Sequence, residues 1–106
     1  MSGFPHGVAG MLMARSGGIC EMWHPPVCLG TAQQFHHRRL RSQGGKDTIE
    51  CCVHICRACH DFAHDHPRLA RENGWIVSAW KEPGGVLMLR RGEWTALLTD
   101  GRVEVW

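Results

Sequence analysis

The pattern of apolar and polar positions changes character twice along the chain. Over the first eighteen residues it is weak and glycine-rich, and only Met11 to Arg15 favour a helical turn or two before Gly17-Gly18 stops them. Residues 19–33 mix Cys, Pro and Gly and read as a loop or knuckle. Phe35 to Arg38 and Cys52 to Ile55 are short strand candidates, and RSQGGKD between them (41–47) is a loop by composition. Arg57 to His64 takes helical spacing, since Ala58 and Phe62, and His60 and His64, fall four apart. Asp65-His66-Pro67 then predicts a cap and a proline opening a second helix, which runs to Asn73 and ends at Gly74.

From Trp75 the pattern becomes that of strands. Trp75–Trp80, Val86–Arg90, Trp94–Leu98 and Val103–Trp106 are separated by Pro83-Gly84-Gly85, Arg91-Gly92 and Asp100-Gly101, which predicts a β meander. Its tryptophans are expected mainly in the core, as aromatics usually are. The fold class expected is α+β. Three parts follow: an N-terminal arm over 1–18, a core over 19–74, and a C-terminal β extension over 75–106 packed on that core.

With 106 residues, one domain is the default, and a domain this small often needs a staple. Six Cys and eight His offer one. The apolar patch from Val8 to Ala14 is too short to span a membrane, and no basic segment precedes it as in a signal peptide. The chain is therefore expected to be cytoplasmic, with no membrane partner. Thiols stay reduced there, so closely spaced Cys read as metal ligands before disulfides. The formal net charge of +2 does not announce nucleic acid. Its distribution says more: no acidic residue lies between Met22 and Gly45, while Arg38, Arg39 and Arg41 stand beside His36 and His37. Such a stripe is the footprint of phosphate binding, with a solvated charge run as the plain alternative.

The stretch CRACHDFAH, 56–64, admits three chemistries: C-x-x-C-H haem attachment, half of a zinc site, or a His60/His64 metal pair on one helix face. Haem is not expected, because its attachment needs export and a second axial ligand, and no Met lies in an obvious ligand loop. Cys56 and Cys59 form a tight knuckle, and Cys20 and Cys28 a looser one. Four thiolates in two pairs fit a closed structural zinc site with Zn–S bonds of about 2.3 Å. Such a site contributes on the order of 10 kcal/mol to folding. His24 is a competing ligand. A closed Cys₄ site leaves His36, His37, His60 and His64 for a second, open metal site; the bland alternative for His60 and His64 is two surface histidines on a polar helix.

CEMWHPPVCLG, FHHRRLRSQGG and DTIECCVHICRACHDFAH, taken in order, resemble the zinc-knuckle branch of the HNH endonucleases of phages and bacteria, over roughly Arg15 to Gly74. The resemblance implies a ββα-metal fold and metal-dependent hydrolysis of DNA phosphodiester bonds. It assigns His37 as general base and Cys20, Cys28, Cys56 and Cys59 to structural Zn²⁺. His36, His60 and His64 become holders of a catalytic divalent metal (Mn²⁺, Ni²⁺, Co²⁺, Zn²⁺ or Mg²⁺). Arg38 matches an Arg facing the DNA backbone, with Arg39, Arg41 and Lys46 completing a clamp. The motif Asn, part of the catalytic set, is replaced by Cys51, and a thiol cannot copy an amide's two donors and acceptor. The rival expectation is therefore a zinc-stapled DNA-binding module that cuts weakly or not at all. The meander is expected to extend the DNA surface or to dock a partner such as a phage packaging (terminase) protein.

Overall fold

In the computed structural model, which describes residues 5–106, helix α1 (His6–Ser16) opens the chain. It is longer than the turn or two expected, because glycines at 7 and 10 disfavour helix locally and tertiary contacts supply the difference. Leu12 is buried against Cys51 and Cys52. Arg15 donates to the carbonyls of Ile49 (2.8 Å) and Cys52 (2.7 Å) and pairs with the buried Glu21 at 2.8 Å. Gly17, at φ 65°, ends the helix with its N–H on the Met13 carbonyl. Over its described part, the expected N-terminal arm is thus a docked helix.

Strands β1 (Gln34–His37) and β2 (Cys52–Ile55) pair antiparallel, with His36 opposite Val53 and His37 opposite Cys52. The connecting loop doubles back tightly: Gly44 takes φ 88°, a Cβ at Gly45 would land inside the Arg39 carbonyl, and the Gly45 N–H returns to Leu40. After β2 the chain turns through Cys56 into α2 (Arg57–Asp65), and Pro67 opens α3 (Pro67–Glu72).

The C-terminal sheet has three strands, β3 (Met88–Arg90), β4 (Glu93–Leu97) and β5 (Val103–Val105), in that order. Trp75–Trp80, expected as a fourth, is not a strand. Its amides are spent elsewhere: Trp75 and Ile76 bond the Ala70 carbonyl at 2.9 and 3.2 Å, and Val77 bonds Arg38 at 2.7 Å. The segment crosses the protein with Trp75, Ile76 and Val77 buried. Trp75 follows the core expectation for tryptophans. Trp94, Trp80 and Trp106 do not: they are exposed. Val53, Ile55, Ala63, Trp75, Met88 and Leu97 share one cluster with Cys20, Cys56 and Cys59, so the C-terminal residues complete the core of the preceding segment. The result is a small α+β fold with two antiparallel sheets.

Arg38 corrects the expected phosphate clamp. Its side chain is fully buried. Nε donates to Gly74 (2.9 Å), Nη1 to Glu50 and Pro83 (3.1 Å each), and Nη2 to Val86 (2.7 Å), all backbone carbonyls. It ties β1 to three distant loops and offers nothing to solvent. Arg38→Met should therefore lower unfolding free energy by about 4 kcal/mol or more, since it strands several buried acceptors. A urea midpoint within the range of a surface substitution would show the guanidinium to be dispensable to the fold.

Candidate metal centres

The sulfurs of Cys20, Cys28, Cys56 and Cys59 all lie within 4.8 Å of one another, close enough to hold a metal ion. A tetrahedral zinc spaces its sulfurs about 3.8 Å apart, so this grouping is compatible with structural zinc. Backbone N–H groups already face the sulfurs. Trp23 and Cys56 donate to Cys20 at 3.4 and 3.2 Å, Gly30 to Cys28 at 3.3 Å, and Leu29 and Cys59 to Cys56 at 3.4 and 3.3 Å. Donors arranged this way stabilise thiolates. Cys20 is drawn down to about 5, chiefly by the hydrogen bond it receives from Cys59, whose own thiol is pushed up first by that same bond. Burial raises Cys28 to about 11. His24, the competing ligand, turns away and packs on Phe62 at 4.3 Å between ring centroids.

A second cluster joins β1 to α2. Ring nitrogens of His36, His60 and His64 also lie within 4.8 Å of one another. His60 and His64 share a helix face because they are four apart on α2, and β1 delivers His36 beneath them. His36 is 1 % exposed, and its Nε2 sits 2.8 Å from the Trp75 carbonyl. A carbonyl only accepts, so Nε2 carries the hydrogen and Nδ1 keeps the lone pair, the arrangement of a histidine metal ligand with its outer nitrogen anchored. The burial gradient runs from His36, fully enclosed, through half-buried His60 to exposed His64, so one side of the cluster opens to solvent.

Two of the three imidazoles are held toward the neutral form. Burial holds His36 down to about 3, against a pull from the Trp75 bond, and the charges of His60 and His64 lower it further. His60 is lowered too, first by burial and then by His64. The unfolded chain protonates His36 near pH 6.5, whereas the folded chain resists until about pH 3. Stability is therefore complete above that upper value and falls as the pH drops through the window, approaching about 1.4 kcal/mol per pH unit. His36→Gln keeps a donor for the Trp75 carbonyl and removes the titration. Its urea-derived stability should be flatter than the parent's between about pH 6.5 and 5.5; equal slopes would mean the ring is not held neutral.

His37 stands outside the triad. Its Nε2 donates to the Asp47 carboxylate at 2.6 Å instead. Arg41 braces the same carboxylate with Nη2 at 2.9 and 3.1 Å. Asp47 is held below the usual carboxylate range, first by the His37 bond and then by Arg41. Asp47 had no signal in the sequence beyond being an acid in a loop, since no fixed spacing links it to His37. Cys51 is also outside both clusters. It is buried, with its S–H 3.7 Å from the Arg39 carbonyl, at the base of the His37 loop. It is thus placed to fasten that loop weakly. Of the expected clamp, Arg39 is committed to the Gln43 and Ala79 carbonyls at 3.1 and 2.7 Å, Arg41 serves Asp47 while half-exposed, and Lys46 is exposed.

No helix among the described residues is long and apolar enough to cross a membrane. Compared with known protein families, curated proteins and solved structures, the chain matches none of them.

Proposed function

We propose that the chain is a metal-dependent endonuclease of the zinc-knuckle HNH type that hydrolyses DNA phosphodiester bonds. The observation that carries this reading is the three-histidine cluster delivered by β1 and α2, with the four-cysteine cluster at the helix start and an Asp-oriented histidine next in sequence. A divalent metal held by His36, His60 and His64 would supply Lewis acidity to a phosphate oxygen and to the leaving oxygen. The chain's own contribution is the base. His37 would take a proton from water, and the Asp47 carboxylate 2.6 Å from its Nε2 would stabilise the imidazolium that forms. Arg41 and Lys46, exposed on the loop, favour a polyanion, in a salt-sensitive and largely sequence-independent way.

Cleavage of supercoiled plasmid under added metals tests the proposal. The cluster has imidazoles and no carboxylate, so Mn²⁺, Co²⁺ or Ni²⁺ should support nicking or linearisation better than equal Mg²⁺. Folded, zinc-loaded protein that cuts with none of these would overturn the enzyme. The second reading, a binding module, is favoured by Cys51 at the motif Asn position, where a thiol gives the His37 loop only a 3.7 Å contact. DNA retained without any cleavage is its signature.

A further inference from the structure

Trp80 is 94 % exposed, an unusual place for the largest apolar side chain. It is not on a loose tail. The Val77 N–H donates to the Arg38 carbonyl (2.7 Å), Arg39 Nη2 to the Ala79 carbonyl (2.7 Å), and the Lys81 N–H to Ser78 (3.1 Å). The backbone under Trp80 is therefore strapped to the segment that follows His37. Trp80, Leu40 and Gln43 line a groove of about 350 Å³ together with Pro67 and Arg71. Pro67 opens α3, so the groove runs between the start of that helix and the segment ending at Trp80.

Its charge favours an anion. Arg71 is in the wall, and Lys81 follows Trp80 in the sequence. The neighbouring acids are already engaged: Glu82 lies 3.8 Å from Arg39, and Glu72 lies 3.5 Å from Arg68. An exposed indole face beside cations is the combination that binds single strands, where each base has a free π-face and each phosphate a charge. In a duplex those faces are covered by neighbouring bases.

We infer that this groove binds single-stranded nucleic acid, with an unpaired base stacked on Trp80 and flanking phosphates on Arg71 and Lys81. The inference rests on the nuclease reading and narrows its substrate to strands that carry an unpaired base. The test is anisotropy with the full zinc-loaded chain and no added divalent metal, so that nothing is cut. The probes are a labelled oligothymidylate, an abasic strand with the same number of phosphates, and a blunt duplex. The parent should bind oligothymidylate about five-fold or more tighter than the abasic strand, and tighter than the duplex. Trp80→Ala should lose that preference, Trp80→Phe should keep part of it, and binding to the abasic strand should not change. With 94 % of the side chain already in water, neither variant threatens the fold, and the zinc content checks this. A parent blind to bases, a Trp80→Ala variant that keeps the preference, or no binding at all overturns the inference, and Trp80 would then be a contact for a protein partner. Plasmid cleavage measured in parallel separates the two claims. Cutting with no base-dependent binding sinks the groove alone; base-dependent binding without cutting sinks the nuclease and keeps the groove.

Discussion

Cys59→Ser is expected to cost the protein its folded state. Cys59 is buried in the main core, and its sulfur is one of four that converge from two distant segments. Those segments, around Cys20–Cys28 and Cys56–Cys59, contain little regular structure apart from α2. A structural zinc contributes on the order of 10 kcal/mol or more, against a total stability of about 5–15 kcal/mol for a typical domain. Removing one thiolate should therefore release the metal and leave a net stability near or below zero. The parent should carry one zinc per chain by elemental analysis, and strong chelators should abolish its cooperative thermal transition. Cys51→Ser, which alters a thiol outside the cluster, should retain zinc and the transition. A Cys59→Ser protein that melts like the parent without zinc would refute the structural site.

His37→Ala should reduce plasmid cleavage by about 10²–10⁴-fold while zinc content and melting stay close to the parent's. The expectation follows from the division of labour between neighbours on β1. His36 is enclosed and anchored to Trp75, whereas His37 faces the loop and is held by Asp47. Removing the outer group that orients it is a smaller change: Asp47→Ala should cost about 10–100-fold. Arg41→Ala, one step further out, should cost less than Asp47→Ala. His37→Ala within ten-fold of the parent, under the metal that best supports cleavage, would remove His37 as the base. Loss of zinc or fold in that variant would instead mark the ring as structural, and the Asp47→Ala rate would then decide between the roles.

Much of this arrangement was legible locally. C-x-x-C opening a helix, two histidines four apart, and a short apolar run at Cys52–Ile55 are short-range signals, because backbone periodicity and knuckle geometry act over a few residues. The expected helix over Arg57–His64 and strand over Cys52–Ile55 correspond to α2 (Arg57–Asp65) and β2 (Cys52–Ile55). The two-residue turns likewise mark where the meander reverses. A local reading goes wrong where a segment's hydrogen bonds go to distant partners. Trp75–Trp80 has the composition of a strand, yet its amides are taken by Ala70 and Arg38, and no neighbouring strand is left to pair with it. Helix α1 is the reverse case, a glycine-containing stretch made helical by what it packs on.

The sequence by itself determined which chemistries were available: paired thiols, adjacent histidines on a strand, a His-x₃-His helix and a run of arginines. Only the tertiary structure decided how like residues divide. Arg38 and Arg39 are neighbours of identical chemistry, yet one is inside, satisfied by carbonyls from residues 50, 74, 83 and 86, and the other is at the surface. His36 and His37 divide in the same way, one to the cluster and one to Asp47. The physical reason is common to both pairs. Which face of β1 becomes interior is set by chain closure over tens of residues, and a buried donor must then find whichever acceptors that closure brings to it.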